Sequence, residues 1–264
     1  MNKKPKSKPV VAKSNKTDAI LKEHKKLVVS QEAVQRAAMG GAQPVTVVPP
    51  INLVRYDLAC GQSPKEGFIG VDLHAPNPDL RFDLTKFPWP LKDHSVDELH
   101  CSHYVEHIPC REVEERDLVA GGEAPTEVKK SFLGKDHLFA FFDECWRILK
   151  PGSKMLVIVP CGRSNRAFQD PTHRRFIVVE LFFYLNHVWR AGNKLDHYRV
   201  NCNFGFSVQP TVAQHMALLS DEARQNAFDK DWNAIHDFWV TLEALPPPAK
   251  GEALPVLPPN LPTP

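Results

Sequence analysis

The sequence holds no apolar run of the roughly 20 residues that a membrane-spanning helix needs. No membrane contact is expected. The first residues carry charge but no hydrophobic segment follows them, which argues against a secretory signal. The six cysteines, Cys60, Cys101, Cys110, Cys145, Cys161 and Cys202, include no C-x-x-C pair. Scattered thiols in a chain of this size suggest reduced cysteines and a cytoplasmic location. Net charge is also scarce. At +2 over 264 residues it does not by itself imply nucleic-acid binding.

What charge there is lies unevenly. Residues 1–26 contain nine lysines and almost no large apolar side chains, so they read as a disordered basic arm. The arm offers a contact for nucleic acid, although a solvated tail is the simpler reading. Residues 27–50 read as a linker with a short helix at Gln31–Met39, stopped by Gly40-Gly41. The last stretch, 245–264, is rich in proline and reads as a disordered tail. Between them, 51–244 has enough apolar content for one sizeable domain.

Within that domain, strand-like and helix-like segments alternate. Strands are expected at 52–58, 68–73, 96–103 and 154–159, with a short or extended piece at 79–84. The run K-M-L-V-I-V at 154–159 is nearly all apolar, as in a strand buried on both faces. Leu138, Phe141, Phe142, Cys145, Trp146, Ile148 and Leu149 form one apolar face of a helix over 137–149. Later segments predict helical structure over 176–188, one or two strands within 198–208, and an amphipathic helix over about 221–244. The expected fold is therefore α/β, a doubly wound and mostly parallel sheet.

The richest stretch is V-R-Y-D-L-A-C-G-Q-S-P-K-E-G-F-I-G-V-D, from Val54 to Asp72. A strand runs into a turn of small residues, Ala59-Cys60-Gly61-Gln62-Ser63, and a second strand ends on a carboxylate. That is how an open parallel sheet makes a nucleotide pocket. Only ten residues separate Gly61 from Asp72, too few for an ordinary helical crossover. An abbreviated or missing first helix is expected.

Five motifs fall in a telling order: Asp57-Leu58-Ala59-Cys60-Gly61, Gly70-Val71-Asp72-Leu73, Phe82-Asp83-Leu84, Ser95 to Leu99 running into Ser102-His103-Tyr104-Val105-Glu106-His107, and Cys145-Trp146-Arg147-Ile148-Leu149-Lys150-Pro151-Gly152. In this order the chain resembles class I S-adenosylmethionine-dependent methyltransferases of the type 11 kind, over about residues 52–175. The resemblance implies S-adenosylmethionine as cofactor and a methyl acceptor that it does not identify, either a small molecule or nucleic acid. It implies that Asp57, Ala59 and Gly61 shape the turn under the methionine part. Asp72, with Leu73 beside it, would bind the ribose. Asp83 and Leu84 would contact the adenine, and Ser102 would lie beside the sulfonium.

For the acceptor side the candidates are His107, Asp170 and His173. His173 is expected as the general base or a substrate contact, with Asp170 orienting it and Arg174 and Arg175 ready for an anionic group. The structural alternative has Asp170 capping a following helix. The string His103-Tyr104-Val105-Glu106-His107 also matches H-x-x-E-H, but that zinc signature needs a continuous helix where this stretch follows a strand, so no metal is expected. Pro160-Cys161 suggests a covalent cytosine mechanism but lacks its partner motifs. The rival from another class is a non-catalytic accessory protein that keeps the fold.

Overall fold

The computed structural model describes residues 53–120, 125–212 and 214–247. The expected basic arm, linker helix and most of the proline-rich tail lie outside the described residues. Six strands form one sheet: β1 (Arg55–Leu58), β2 (Ile69–Val71), β3 (Val96–Ser102), β4 (Leu149–Pro160), β5 (Phe204–Val212) and β6 (Ile235–Ala244). Their order is β2-β1-β3-β4-β6-β5. β1 to β4 run parallel, and β6 is antiparallel to both of its neighbours. The α-helices are α1 (Thr126–Lys130), α2 (His137–Ile148), α3 (His187–Gly192) and α4 (Asp221–Lys230).

The winding is uneven. The expected third strand, at 79–84, is reduced to a single bridge between Leu80 and Val71. The connections β1–β2 and β2–β3 contain no helix. In place of a first crossover helix, the 60–67 loop lies directly on β2. Cys60 N–H donates to the Val71 carbonyl at 3.1 Å, and Asp57 Oδ2 accepts from Lys65 N–H at 2.8 Å. The loop sits so close that a Cβ at Gly70 would lie 2.6 Å from the Pro64 ring and 2.8 Å from Cys60 Sγ. Glycine at that position is what lets the shortened loop pack.

α2 closes the other part of the core. Asp136 caps it by accepting from Leu138 N–H at 2.8 Å. Its buried face, Leu138, Phe141, Phe142, Cys145 and Ile148, follows the three-and-four spacing read from the sequence. Phe141 meets Trp89 at 5.5 Å and Tyr104 at 5.6 Å between ring centres, tying the helix to the segment that leaves β3.

The expected helix over 221–244 is corrected. It is two elements, α4 and then β6, separated by a turn in which Asn233 takes φ 62°. In β6 burial alternates: Phe238, Val240, Leu242 and Ala244 are buried, while Trp239 and Glu243 are exposed. Ile235, Trp239 and Leu242 fit helical spacing by coincidence. The period-two pattern and the β-branched pair Val240-Thr241 decide for strand. The expected helix over 176–188 is also split, into a 3₁₀ segment at Val179–Leu185 and α3.

Candidate functional site

From β1 the chain goes to β2 on one side, then returns to β3 on the other. This reversal is a topological switch point, and the place outside the carboxyl ends of β1 and β3 is the usual ligand site of such sheets. The register shows what lines it. Leu58 is level with Val71 and with Cys101. One residue further on, Ala59, Asp72 and Ser102 therefore form a row at the sheet's carboxyl edge. Two residues at this edge sit in the left-handed region, Ala59 at φ 54° and His103 at φ 53°. Such backbone is strained for a residue with a Cβ and clusters at functional sites. Within the small-residue turn, Ala59 takes positive φ and Ser63 does not. Gly61 takes φ 59° with open space around it.

On the β1–β2 side the carboxylates hold backbone. Asp72 Oδ2 accepts from Gly61 N–H at 3.0 Å, and Oδ1 accepts from His74 and Ala75 N–H at 2.7 Å each. Burial alone would raise the Asp72 pKa. The amides of Ala75, His74 and Gly61 outweigh it and keep the group ionised below the usual carboxylate range. Asp57 is buried, bonded through Oδ1 to His100 Nδ1 at 2.7 Å and through Oδ2 to the Lys65 amide. Asp83 turns back on Thr85, accepting from its amide and its hydroxyl. Leu84 is buried and its carbonyl accepts from the Trp89 indole. Leu73 is partly exposed beside Asp72. Burial raises Tyr104 well above its usual range, and the nearby charges of Asp83 and Asp72 add to it.

Beyond β3 the arrangement differs. Residues 105–107 make a single 3₁₀ turn, so His103 and His107 do not share a helix face and the H-x-x-E-H reading fails. The loop around His173 is zipped onto this turn. Arg174 and Arg175 N–H both donate to the Glu106 carbonyl, at 2.7 and 3.0 Å. The Arg175 guanidinium donates to the Ile108 and Pro109 carbonyls and to Asp136. Its charge is spent on structure, not on a substrate anion.

The zipper brings His107 and His173 together, ring centres 4.7 Å apart and nearly perpendicular. Asp170 orients His107 and not His173. Asp170 Oδ1 accepts from the Thr172 hydroxyl at 2.7 Å, and Thr172 Oγ1 lies 3.1 Å from His107 Nδ1. The Thr172 hydroxyl, and then its amide, hold the Asp170 carboxyl below its ordinary range. No helix follows Asp170, so its capping role there is set aside; its side chain closes a local turn at Thr172. His173 is oriented by a carbonyl, that of Ala167, 2.9 Å from its Nδ1.

Glu106 is fully buried, with Oε1 3.2 Å from His103 Nδ1. That hydrogen bond raises the His103 pKa. Glu106 Oε2 has no hydrogen-bond partner. The sequence displayed both strings, H-x-x-E-H and D-P-T-H. It did not show that Glu106 belongs with His173 or that Thr172 links Asp170 to His107.

Cys161 is buried, and burial pushes its thiol up, the reverse of what a thiolate nucleophile requires. Phe168 and Phe176 stack at 4.4 Å on either side of the Asp170–His173 loop, and both are exposed. Among the described residues no helix is long and apolar enough to cross a membrane.

No family model matches the chain, and no curated protein matches it significantly. Solved structures do. A methyltransferase dependent on S-adenosylmethionine, from Archaeoglobus fulgidus, is 16% identical, with 72% of this chain and 86% of that one covered at a TM-score of 0.43. One from Mesorhizobium loti is 14% identical, covering 72% and 90%, at a TM-score of 0.39. One from Methanosarcina mazei is 14% identical, covering 72% and 92%, at a TM-score of 0.35. At such identities the likeness extends to no substrate.

Proposed function

We propose that the protein moves a methyl group from S-adenosylmethionine to an acceptor held beside His107 and His173. The observation that carries this reading is the row Ala59, Asp72 and Ser102 at the topological reversal, with two imidazoles brought into contact from the segments that follow β3 and β4. In it, Gly61 and Ala59 lie under the methionine part, and Asp83 and Leu84 lie at the adenine. Ser102 sits near the sulfonium. Asp72 takes the ribose. A carboxylate offers about four acceptor positions, and three amides already use Asp72. It can accept one ribose hydroxyl as it stands, and a second if the Gly61 amide lets go.

Methyl transfer is an in-line displacement, so most of the enzyme's work is positioning. The acceptor lone pair attacks the methyl carbon, and the carbon–sulfur bonding pair returns to sulfur. The acceptor's proton is left for a neighbouring base. His173 is half-buried, and its Nδ1 is committed to the Ala167 carbonyl, which leaves Nε2 to take a proton. The exposed Phe168–Phe176 stack beside it offers a planar acceptor a face.

The three amides already on Asp72 and the strain at Ala59 favour a second reading, a domain that keeps the fold and works as an accessory. A screen of small molecules, tRNA and DNA for transfer of a labelled methyl group separates the two. Label that appears on an acceptor with wild type and not with His173→Ala supports the enzyme. No label on any acceptor class supports the accessory reading.

A further inference from the structure

Glu106, His107 and His173 each present one ligand atom, and the three lie within 4.8 Å of one another. Around a tetrahedral ion bound at about 2.1 Å, ligand atoms stand roughly 3.4 Å apart. Small side-chain rotations therefore close the set on a cation. The hydrogen bonds decide which nitrogens are free. The Ala167 carbonyl can only accept, so His173 carries its proton on Nδ1 and keeps a lone pair on Nε2. The Thr172 hydroxyl spends its one proton on the Asp170 carboxylate. Its oxygen must then accept from His107, which puts the His107 proton on Nδ1 as well. Both rings are fixed through Nδ1 by a carbonyl or a hydroxyl–carboxylate relay, the outer-sphere arrangement typical of metal-ligating histidines.

The third donor is the more pointed observation. Glu106 is fully buried, yet its Oε2 has no hydrogen-bond partner. A buried carboxylate oxygen left unpaired is costly, and a cation would remove that cost. The loop zipper, Arg174 and Arg175 N–H on the Glu106 carbonyl, holds the three ligands in register across 67 residues of chain.

We propose that Glu106 Oε2, His107 Nε2 and His173 Nε2 form a binding site for a divalent transition-metal ion such as zinc. Two imidazoles and one carboxylate suit such an ion and not magnesium. Three protein ligands leave at least one position open, as in sites where the ion meets a substrate. The consequence for chemistry rests on the methyl-transfer reading above. An acceptor with a hydroxyl or thiol takes the open position, its proton goes to solvent, and the freed lone pair faces the methyl group. In that case His173 is a ligand and not the base. Metal binding itself does not depend on that reading.

The test is calorimetric titration of the full chain, stripped with chelator, with zinc alone. It is repeated with cobalt, whose visible spectrum reports tetrahedral nitrogen–oxygen ligation. Wild type should bind one zinc at this site, and His107→Ala and His173→Ala should each weaken it at least 30-fold. Thr172→Val should weaken it about tenfold through the lost orientation of His107. Cys110→Ser, which removes the exposed thiol near Arg174, should change nothing. Both histidines are only half-buried, so the variants should fold, and circular dichroism checks that they do. If the His107→Ala/His173→Ala double variant binds zinc as tightly as wild type, or the cobalt spectra coincide, the site is refuted. S-adenosylhomocysteine affinity on the same samples keeps the two readings apart. If the double variant keeps wild-type zinc affinity while both proteins bind S-adenosylhomocysteine, only the metal proposal is wrong.

Discussion

The two halves of the sheet's carboxyl edge spend their polar groups in opposite ways. On the β1–β2 side every carboxylate in question is used on the protein itself: Asp72 on three amides, Asp57 on Lys65 and His100, Asp83 on Thr85. On the far side of β3 the backbone is satisfied by a tight zipper while side-chain atoms are left open, Glu106 Oε2 foremost. The first half makes a thin loop rigid in place of the missing helix. In the proposed function, the first half serves the cofactor by shape and the second serves chemistry through groups left unspent.

The largest effect should come from breaking the second half alone. His173→Ala should lower kcat by about 100-fold or more, the usual worth of a positioned proton acceptor or ligand. Cofactor affinity should stay within about threefold, checked by steady-state kinetics and calorimetry on one preparation. A fall in cofactor affinity equal to the fall in kcat would mean that the halves are not separable.

In the first half, Gly70→Ala should destabilise the fold by about 1–3 kcal/mol. Its Cβ would collide with Pro64, whose ring cannot swing away. Chemical denaturation measures this, and an unchanged midpoint would show that the loop does not pack as described. Ala59→Gly works the other way. It relieves left-handed backbone worth about 1 kcal/mol, less what glycine loses in chain entropy, so a small gain in stability is expected.

The smallest effect is a contrast in pH. Asp72 has a lowered pKa in the folded state, so its contribution is complete above about pH 4 and is lost as pH falls through the folded value. His103 has a raised one, from its bond to Glu106, so its contribution is complete below about pH 6.5 and is lost as pH rises through the folded value. The Tm deficit of Asp72→Asn should thus persist at neutral pH and vanish in acid. That of His103→Asn should appear in mild acid and vanish in alkali.

What the sequence made legible follows the same division. Asp72, Ala59 and Gly61 could be placed because a strand, a small-residue turn and a terminal acid are local signals, and the short spacing announced the missing helix. The second half depends on contacts that no local pattern carries. Thr172 meets His107 across 65 residues, and sequence reasoning gave Asp170 to the nearer histidine. Arg175 looked available for a substrate because its charge was visible and its carbonyl partners were not. The misread helix over 221–244 has a different cause. Ile235, Trp239 and Leu242 fit helical spacing, yet in β6 Trp239 and Leu242 lie on opposite faces, a strand fixed by pairing with β4 and β5.

The central claim is that the edge formed by Ala59, Asp72 and Ser102 binds S-adenosylmethionine. Calorimetric titration of wild type and Asp72→Ala with S-adenosylhomocysteine tests it directly. Hydrogen bonds to a charged group contribute about 1.5–3 kcal/mol, so wild type should bind one equivalent and the variant at least tenfold more weakly. Equal affinity in the two proteins, or no binding by wild type, would contradict the account.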